Sequence, residues 1–313
     1  MVFLMRHFRS ERALRGWSIA LLIANMGIVL TGGLVRVTGS GLGCPTWPQC
    51  TQESFVPEGQ VGIGEFIEFG NRLLTFVLVF VALGMMAAAQ YHRDETGQRR
   101  PGMRTLALLV LIGMPTQAIV GGIVVLTQLP PSWVAIHLWL SLVLIALSVQ
   151  LVRRAHKLRP KVLPTLPVFL VRGIFVVMWV TVLMGTLTTG AGPHAGDADV
   201  ARNGLNFLNM AKAHAWTVWA MVAATVLAVV LIRSRAAIAL LVAQLLQGLF
   251  GYLQIFDAGN GEPLLPMQLL VAAHMLLLTV VVALTTNLML TVRRRTKMPV
   301  IDRAEEAEAR ASA

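Results

Sequence analysis

The sequence predicts an all-α integral membrane protein whose eight transmembrane helices form two pseudo-symmetric four-helix bundles. Three observations predict it. The chain has 56% hydrophobic and 13% charged residues with a mean hydropathy of +0.71, whereas an ordinary soluble domain has about a quarter of its residues charged. Eight stretches reach the roughly 17 to 25 apolar residues that cross a hydrocarbon core. Short motifs also recur in the same order in the two halves of the chain.

The first span, about Trp17–Val37, follows the basic segment Arg6–Arg15 and is too long for a cleavable signal peptide, so it is expected to stay in the membrane. Spans two to four are expected at about Arg72–Tyr91, Thr105–Leu126 and Trp133–Val152. Spans five to eight follow at Phe169–Thr189, Phe207–Ile232, Ala236–Ile255 and Met267–Val292. The expected division is an N-terminal four-helix half over 1–160, a C-terminal half over 161–300 and a disordered tail over 301–313, where acids, Arg and Ala alternate.

The net charge of +11 does not point to nucleic acid, because of where the charge lies. Basic residues collect in Arg6–Arg15, His92–Arg104, Arg153–Lys161, Arg233–Arg235 and Arg293–Arg303, which are the termini and alternate loops. The positive-inside rule makes these segments cytoplasmic, with both termini inside and lipid all around the spans. The stretch Gly39–Asn71 has no Lys or Arg and carries Glu53, Glu58, Glu65 and Glu68, so it belongs on the outer face.

Both cysteines, Cys44 and Cys50, fall in that outer loop. An oxidising compartment and short spacing favour a disulfide. A structural staple and a redox-active pair both remain open, although the spacing is not that of a thioredoxin motif. Two thiols alone are a poor metal site.

The repeat orders the ionisable residues inside the spans. Thr38-Gly39-Ser40-Gly41 ends span one and Thr189-Gly190-Ala191-Gly192 ends span five. Gln117 and Gly121 in span three answer Gln247 and Gly251 in span seven, four residues apart in each case and so on one helix face. A buried Gln there would bond across helices while the Gly allows close approach. In this register His137 corresponds to His274, and His214 corresponds to Asn71. His137 lies roughly 9 Å along its helix from Pro131, at 1.5 Å per residue, and the other two histidines are comparably deep toward the outer side.

A histidine inside a lipid-spanning helix is costly unless it faces the bundle and has a partner, and paired imidazoles in a helical bundle suggest haem iron. The bland alternative for each is a hydrogen bond to a neighbouring helix. His7, His92 and His156 lie in basic segments and carry less weight. His194, in an outer loop, would bond a haem propionate or cap the loop. Arg36 and Arg72 would snorkel to the interface, meet propionates or pair with Glu68. Glu68 shares a face with Asn71 if the helix extends back that far. Burial and Arg72 would act on its acidity in opposite directions. A carboxylate beside a porphyrin edge can take protons from a carbon under oxidation, and a helix N-terminal glutamate stabilised by the dipole is the alternative.

Gly32-Gly33-Leu34-Val35-Arg36-Val37-Thr38-Gly39-Ser40-Gly41-Leu42-Gly43-Cys44-Pro45-Thr46-Trp47-Pro48, then Ile67-Glu68 with Asn71-Arg72, then Gly190-Ala191-Gly192-Pro193-His194-Ala195-Gly196-Asp197 resemble the haem A synthase (CtaA/Cox15) family. The resemblance extends over all eight spans. It implies a membrane oxidoreductase that converts haem O to haem A for cytochrome oxidase by oxidising the porphyrin C8 methyl to a formyl group. It further implies haem b in the second half, with His214 and His274 as axial ligands. Haem O would be substrate in the first half, with His137 on its iron and Glu68 as the family's essential glutamate. Cys44 and Cys50 match an outer-loop pair for which a redox role has been proposed. Haem O synthase and oxidase assembly proteins are the implied partners, the cell membrane is the implied location, and a homo-oligomer is left open.

The chain departs from the family's Glu-x-x-His-Arg pattern at Asn71, since a carboxamide is a poor iron ligand beside imidazole. Asn71 is therefore expected on the open face of a substrate iron held by His137. Two other classes stay in view: a di-haem b electron carrier linked to quinone, opposed by Glu68 and the asymmetric ligand set, and a transporter of parallel repeats, opposed by the lack of midplane charge.

Overall fold

Local chemistry sets the helix ends. Ser10 accepts a hydrogen bond from Ala13 N at 3.1 Å and starts α1 (Glu11–Val37), as an N-cap serine should. Gly39, at φ +65°, then stops it: Gly39 N donates to Arg36 O and Ser40 N to Val35 O, the left-handed cap that glycine adopts without penalty. The computed structural model describes residues 8–58, 61–94, 96–192, 200–260 and 266–294, with backbone alone for 256–260.

The remaining helices are α2 (Ile63–Tyr91), α3 (Met103–Leu126), α4 (Pro131–Ala155), α5 (Thr165–Ala191), α6 (Phe207–Ile232), α7 (Arg235–Asn260) and α8 (Met267–Thr291). Pro131 opens α4 at the first helical position, where a missing N–H costs nothing. Asn206 caps α6 through Asn209 N at 3.0 Å. All eight helices are long and apolar enough to cross a membrane. Large apolar side chains such as Phe76, Phe80, Trp216 and Trp219 stand exposed on their outer faces, as lipid-facing residues would.

Two features go beyond the sequence expectation. α2 begins at Ile63 rather than near Arg72, so the helix takes in Glu68; hydropathy places an apolar core but not the polar first turns of a helix. A short parallel pair, β1 (Lys161–Leu163) with β2 (Val292–Arg294), joins the loop after α4 to the end of α8. The expected disordered tail, 301–313, lies outside the described residues.

Helices α1 to α4 pack as a closed ring, each against the next and α4 against α1, and α5 to α8 repeat that ring. The halves join through α8, which packs on α1 and α4. Arg153 of α4 donates to Asn287 Oδ1 (2.6 Å) and Thr291 Oγ1 (2.9 Å) of α8 across this seam. In each ring the even-numbered helices, α2 with α4 and α6 with α8, stand diagonally opposite.

The apolar core is concentrated toward one end. In the first ring it comprises Leu14, Leu21, Leu78, Met85, Val110, Met114, Leu144 and Leu151, among others. In the second it comprises Val171, Ile174, Met178, Met221, Leu240, Val282 and Leu288. These residues lie nearer the helix ends that carry the basic segments. The basic segments meet there: Arg100 bonds Glu11 and caps Arg154 O and Ala155 O, and His92 Nδ1 bonds Arg9 O. At the opposite end, close packing gives way to glycines, histidines and polar side chains.

Candidate functional site

The second ring builds its site from two imidazoles on diagonal helices. His214, on α6, bonds through Nδ1 to Thr181 O of α5 at 3.1 Å, and His274, on α8, bonds through Nδ1 to Gln247 O of α7 at 3.1 Å. A carbonyl can only accept, so each ring carries a proton on Nδ1, and in the neutral imidazole that leaves the Nε2 lone pair available. Such outer hydrogen bonds orient ligating histidines and raise their basicity. Each ring also lies over a glycine. A Cβ would stand 3.1 Å from His214 Cε1 at Gly185 and 3.2 Å from His274 Cε1 at Gly251. Two backbone-anchored imidazoles on opposed helices fit the donor set of a haem iron.

Sequence reasoning singled out Gln247 and Gly251 but missed Thr181 and Gly185. The signal was present: Thr181 and Gly185 are four apart, as are Gln117 with Gly121 and Gln247 with Gly251. In the second ring the glycine admits an imidazole, and the residue four positions earlier supplies a backbone carbonyl. The expected cross-helix bond of Gln247 is therefore made by its main chain.

The first ring repeats part of this arrangement. His137, on α4, faces Gly121 of α3, where a Cβ would lie 3.3 Å from its Cε1. Gln117 here uses its side chain: Nε2 donates to Ser141 Oγ at 2.7 Å and to His137 O at 3.3 Å. His137 Nδ1 and Gln117 Oε1 are buried without a hydrogen-bond partner among the described residues. The first-ring imidazole thus lacks the carbonyl anchor of its second-ring counterpart. Diagonally opposite, Asn71 Oδ1 accepts from Thr31 Oγ1 of α1 at 2.7 Å, so α1 holds Asn71 much as α5 holds His214.

Glu68 and Arg72 lie one turn apart on α2 and are turned toward the outer loop. Glu68 is 4% exposed. Its Oε1 takes Arg72 Nη2 at 2.6 Å and Nε at 3.2 Å, and its Oε2 takes Cys44 N at 2.7 Å. Arg72 also donates to Cys44 O (2.7 Å), Thr46 O (2.9 Å) and Gln49 O (3.1 Å). These contacts use all five guanidinium donors. Of the roles left open for Arg72, the ion pair with Glu68 is the one observed. Cys44 and Cys50 form a disulfide that closes the loop, and both are buried. Gly43 lets the loop backbone touch the start of α2, where a Cβ would stand 2.8 Å from Gly64 O and Glu65 N.

The loop also reaches α3. The Trp47 indole lies against Gly122, where a Cβ would collide with its ring, so the adjacent glycines 121 and 122 admit His137 and Trp47 respectively. Replacing Gly122 by leucine is expected to expel the indole and destabilise the loop by about 1–3 kcal/mol. A lowered thermal midpoint with faster proteolysis of residues 43–58 would register this; an unchanged midpoint would contradict the contact. His194, proposed above for a propionate, lies outside the described residues, as does His7.

Comparison with known proteins adds the family. Residues 15–198, more than half of the chain, match the family model COX15-CtaA, described as cytochrome oxidase assembly protein. Proteins named heme A synthase share partial similarity. The protein of Geobacillus thermodenitrificans is 31% identical over 110 residues, 35% of this chain and 32% of that protein. That of Geobacillus kaustophilus (strain HTA426) is 34% identical over 102 residues, 33% of this chain and 30% of its own length. That of Bacillus cereus (strain AH187) is 33% identical over 132 residues, 41% of this chain and 40% of its own. The chain thus spans less than half the length of these curated relatives.

Proposed function

The chain belongs to the COX15-CtaA family of cytochrome oxidase assembly proteins, and from that premise we propose that it is a haem A synthase, oxidising the C8 methyl of haem O to a formyl group. The observation that carries the reading is the unequal pair of sites. One ring offers two anchored imidazoles, suited to a permanent cofactor, and the other offers a single unanchored imidazole in a ring that also carries a buried carboxylate, suited to a substrate that enters and leaves. The family and the synthase-named relatives do not favour a plain di-haem carrier.

In this reading His214 and His274 hold haem b between α6 and α8, and Thr181 O and Gln247 O keep both Nε2 atoms aimed inward. When bound, haem b supplies one-electron redox chemistry. The substrate haem O lies between α2 and α4 with His137 on its iron. Asn71, steadied by Thr31, sits on the opposite face as a hydrogen-bonding group. Glu68 is the carboxylate of the reacting edge: Oε1 is taken up by two bonds from Arg72, whereas Oε2 keeps a second lone pair beyond its bond from Cys44 N, and its burial excludes competing water. Arg72 and the disulfide hold the loop over this ring. His194 would meet a propionate. The N-terminal half is thus the substrate half and the C-terminal half the cofactor half. By the positive-inside rule both termini are cytoplasmic and both sites face outward. Haem O synthase and oxidase assembly proteins are the partners this function requires.

Co-expression with a haem O synthase in a host that makes no haem A tests the function, since extracted haem should then contain the A type by mass. Haem B and O alone would overturn it. His137→Ala is expected to weaken haem O retention by about 100-fold or more while leaving one low-spin haem in the spectrum. An unchanged haem O complement would remove His137 from the site.

A further inference from the structure

Where α4 ends against the α2–α3 connection, at the end opposite the histidines, a cavity of about 420 Å³ is lined by Asp94, Arg100, Arg153, Arg154, Lys157 and Arg159. Five cations face one carboxylate, and that carboxylate is held in its own turn: Asp94 Oδ1 accepts from Thr96 N, Thr96 Oγ1 and Gln98 N at 2.7–2.9 Å. Glu11, outside the wall, pairs with Arg100 and with Lys157. Arg153, Arg154 and Arg159 have no carboxylate partner among the described residues.

Arg153 makes the imbalance consequential. It is 8% exposed, and the side chains it bonds, Asn287 and Thr291, are neutral. A partly buried guanidinium without a counter-ion is unfavourable, and an anion in the adjoining cavity would relieve it. Arg154 is fixed at the wall by Pro101 O at 3.0 Å and lies against Gly102, leaving its Nε and Nη2 donors toward the cavity or solvent. The carbonyl end of α4 by itself would repel an anion. It is capped, however, by Arg100 on Arg154 O and Ala155 O, by Lys157 N on Arg154 O, and by Leu158 N on Arg153 O.

We infer that this cavity binds a phosphate-bearing anion, with an anionic phospholipid headgroup as the occupant. The place suits a headgroup, because the cavity lies at the ends of membrane-spanning helices and its rim carries Leu158, an apolar side chain 52% exposed. Basic pockets between helix ends commonly take acidic lipid headgroups, whereas scattered surface lysines give only diffuse attraction. The inference does not depend on the haem chemistry at the other end.

The test uses the full chain in nanodiscs of phosphatidylcholine, with phosphatidylglycerol or inorganic phosphate as probe. Native mass spectrometry reads retained lipid, the thermal midpoint reads stabilisation, and haem content serves as the control for folding. Phosphatidylglycerol should be retained and raise the midpoint. Arg154→Gln with Arg159→Gln, both at exposed positions, should lower its retention by about tenfold or more without changing the phosphatidylcholine midpoint or the haem content. An equal midpoint shift from millimolar phosphate, lost in the same double variant, would support the anion site with a soluble occupant. The inference fails if neither probe shifts the parent chain, or if the double variant keeps the full effect.

Discussion

Replacing His274 by alanine is expected to strip haem b from the second ring and, with it, haem A formation. The ring is anchored at Nδ1 by Gln247 O and seated on Gly251, which holds its Nε2 in one orientation. Loss of outer partners of metal-bound histidines typically costs 10–100-fold in affinity, and loss of the ligand itself should exceed the upper figure. Pyridine-haemochrome quantitation on purified protein should show the b-type haem falling to near background, while circular dichroism keeps the helical signal. His214→Ala should do the same. A His274→Ala protein that keeps its low-spin haem b would break the assignment of that half, leaving the first ring untouched.

The second large effect is expected at Glu68. Glu68→Gln should abolish haem A formation by at least about 100-fold, the usual scale for loss of a positioned acid or base, and should also destabilise the protein. The amide leaves the Arg72 guanidinium without its charge partner in a site where the two side chains are 21% and 6% exposed, a loss of about 3 kcal/mol for a mostly buried pair. Because both outcomes have one cause, Glu68→Asp separates them. It keeps the charge for Arg72 but withdraws the carboxylate by roughly one bond, a displacement that costs about 100-fold when placement matters. Near-parental stability with low activity is the expected result for Glu68→Asp. Near-parental activity would reduce Glu68 to an anchor for the disulfide loop.

The number of helices, the apolar segments and the clustering of basic residues were legible because each depends on local composition. The Gln-x-x-x-Gly repeat was legible for the same reason; it singled out Gly121 and Gly251 as places of close backbone approach, and the structure seats the imidazoles of His137 and His274 on them instead. It did not reveal that Gln117 uses its side chain where Gln247 uses its backbone. That difference follows from Ser141, which offers Gln117 Nε2 a hydroxyl at 2.7 Å; the repeat-related position, Leu278, offers none. Thr31 as the partner of Asn71 was equally hidden, because the contact joins two helices whose relative rotation is a product of packing.

The sequence by itself determined that eight apolar helices repeat as two sets of four, that three histidines lie at comparable depths with Asn71 at the fourth repeat-related position, and that the cysteines share a loop poor in positive charge. Only the tertiary structure decided which way those residues face. It put His214 and His274 on diagonal helices with their Nδ1 atoms tied back, left His137 untied, and turned Glu68 and Arg72 onto the backbone of the cysteine loop. The physical reason is that a span's length and apolarity are summed along its own residues. The rotation of a helix about its axis is set by what its neighbours present, a glycine that admits a ring or a carbonyl that accepts a proton, and those neighbours come from other parts of the chain.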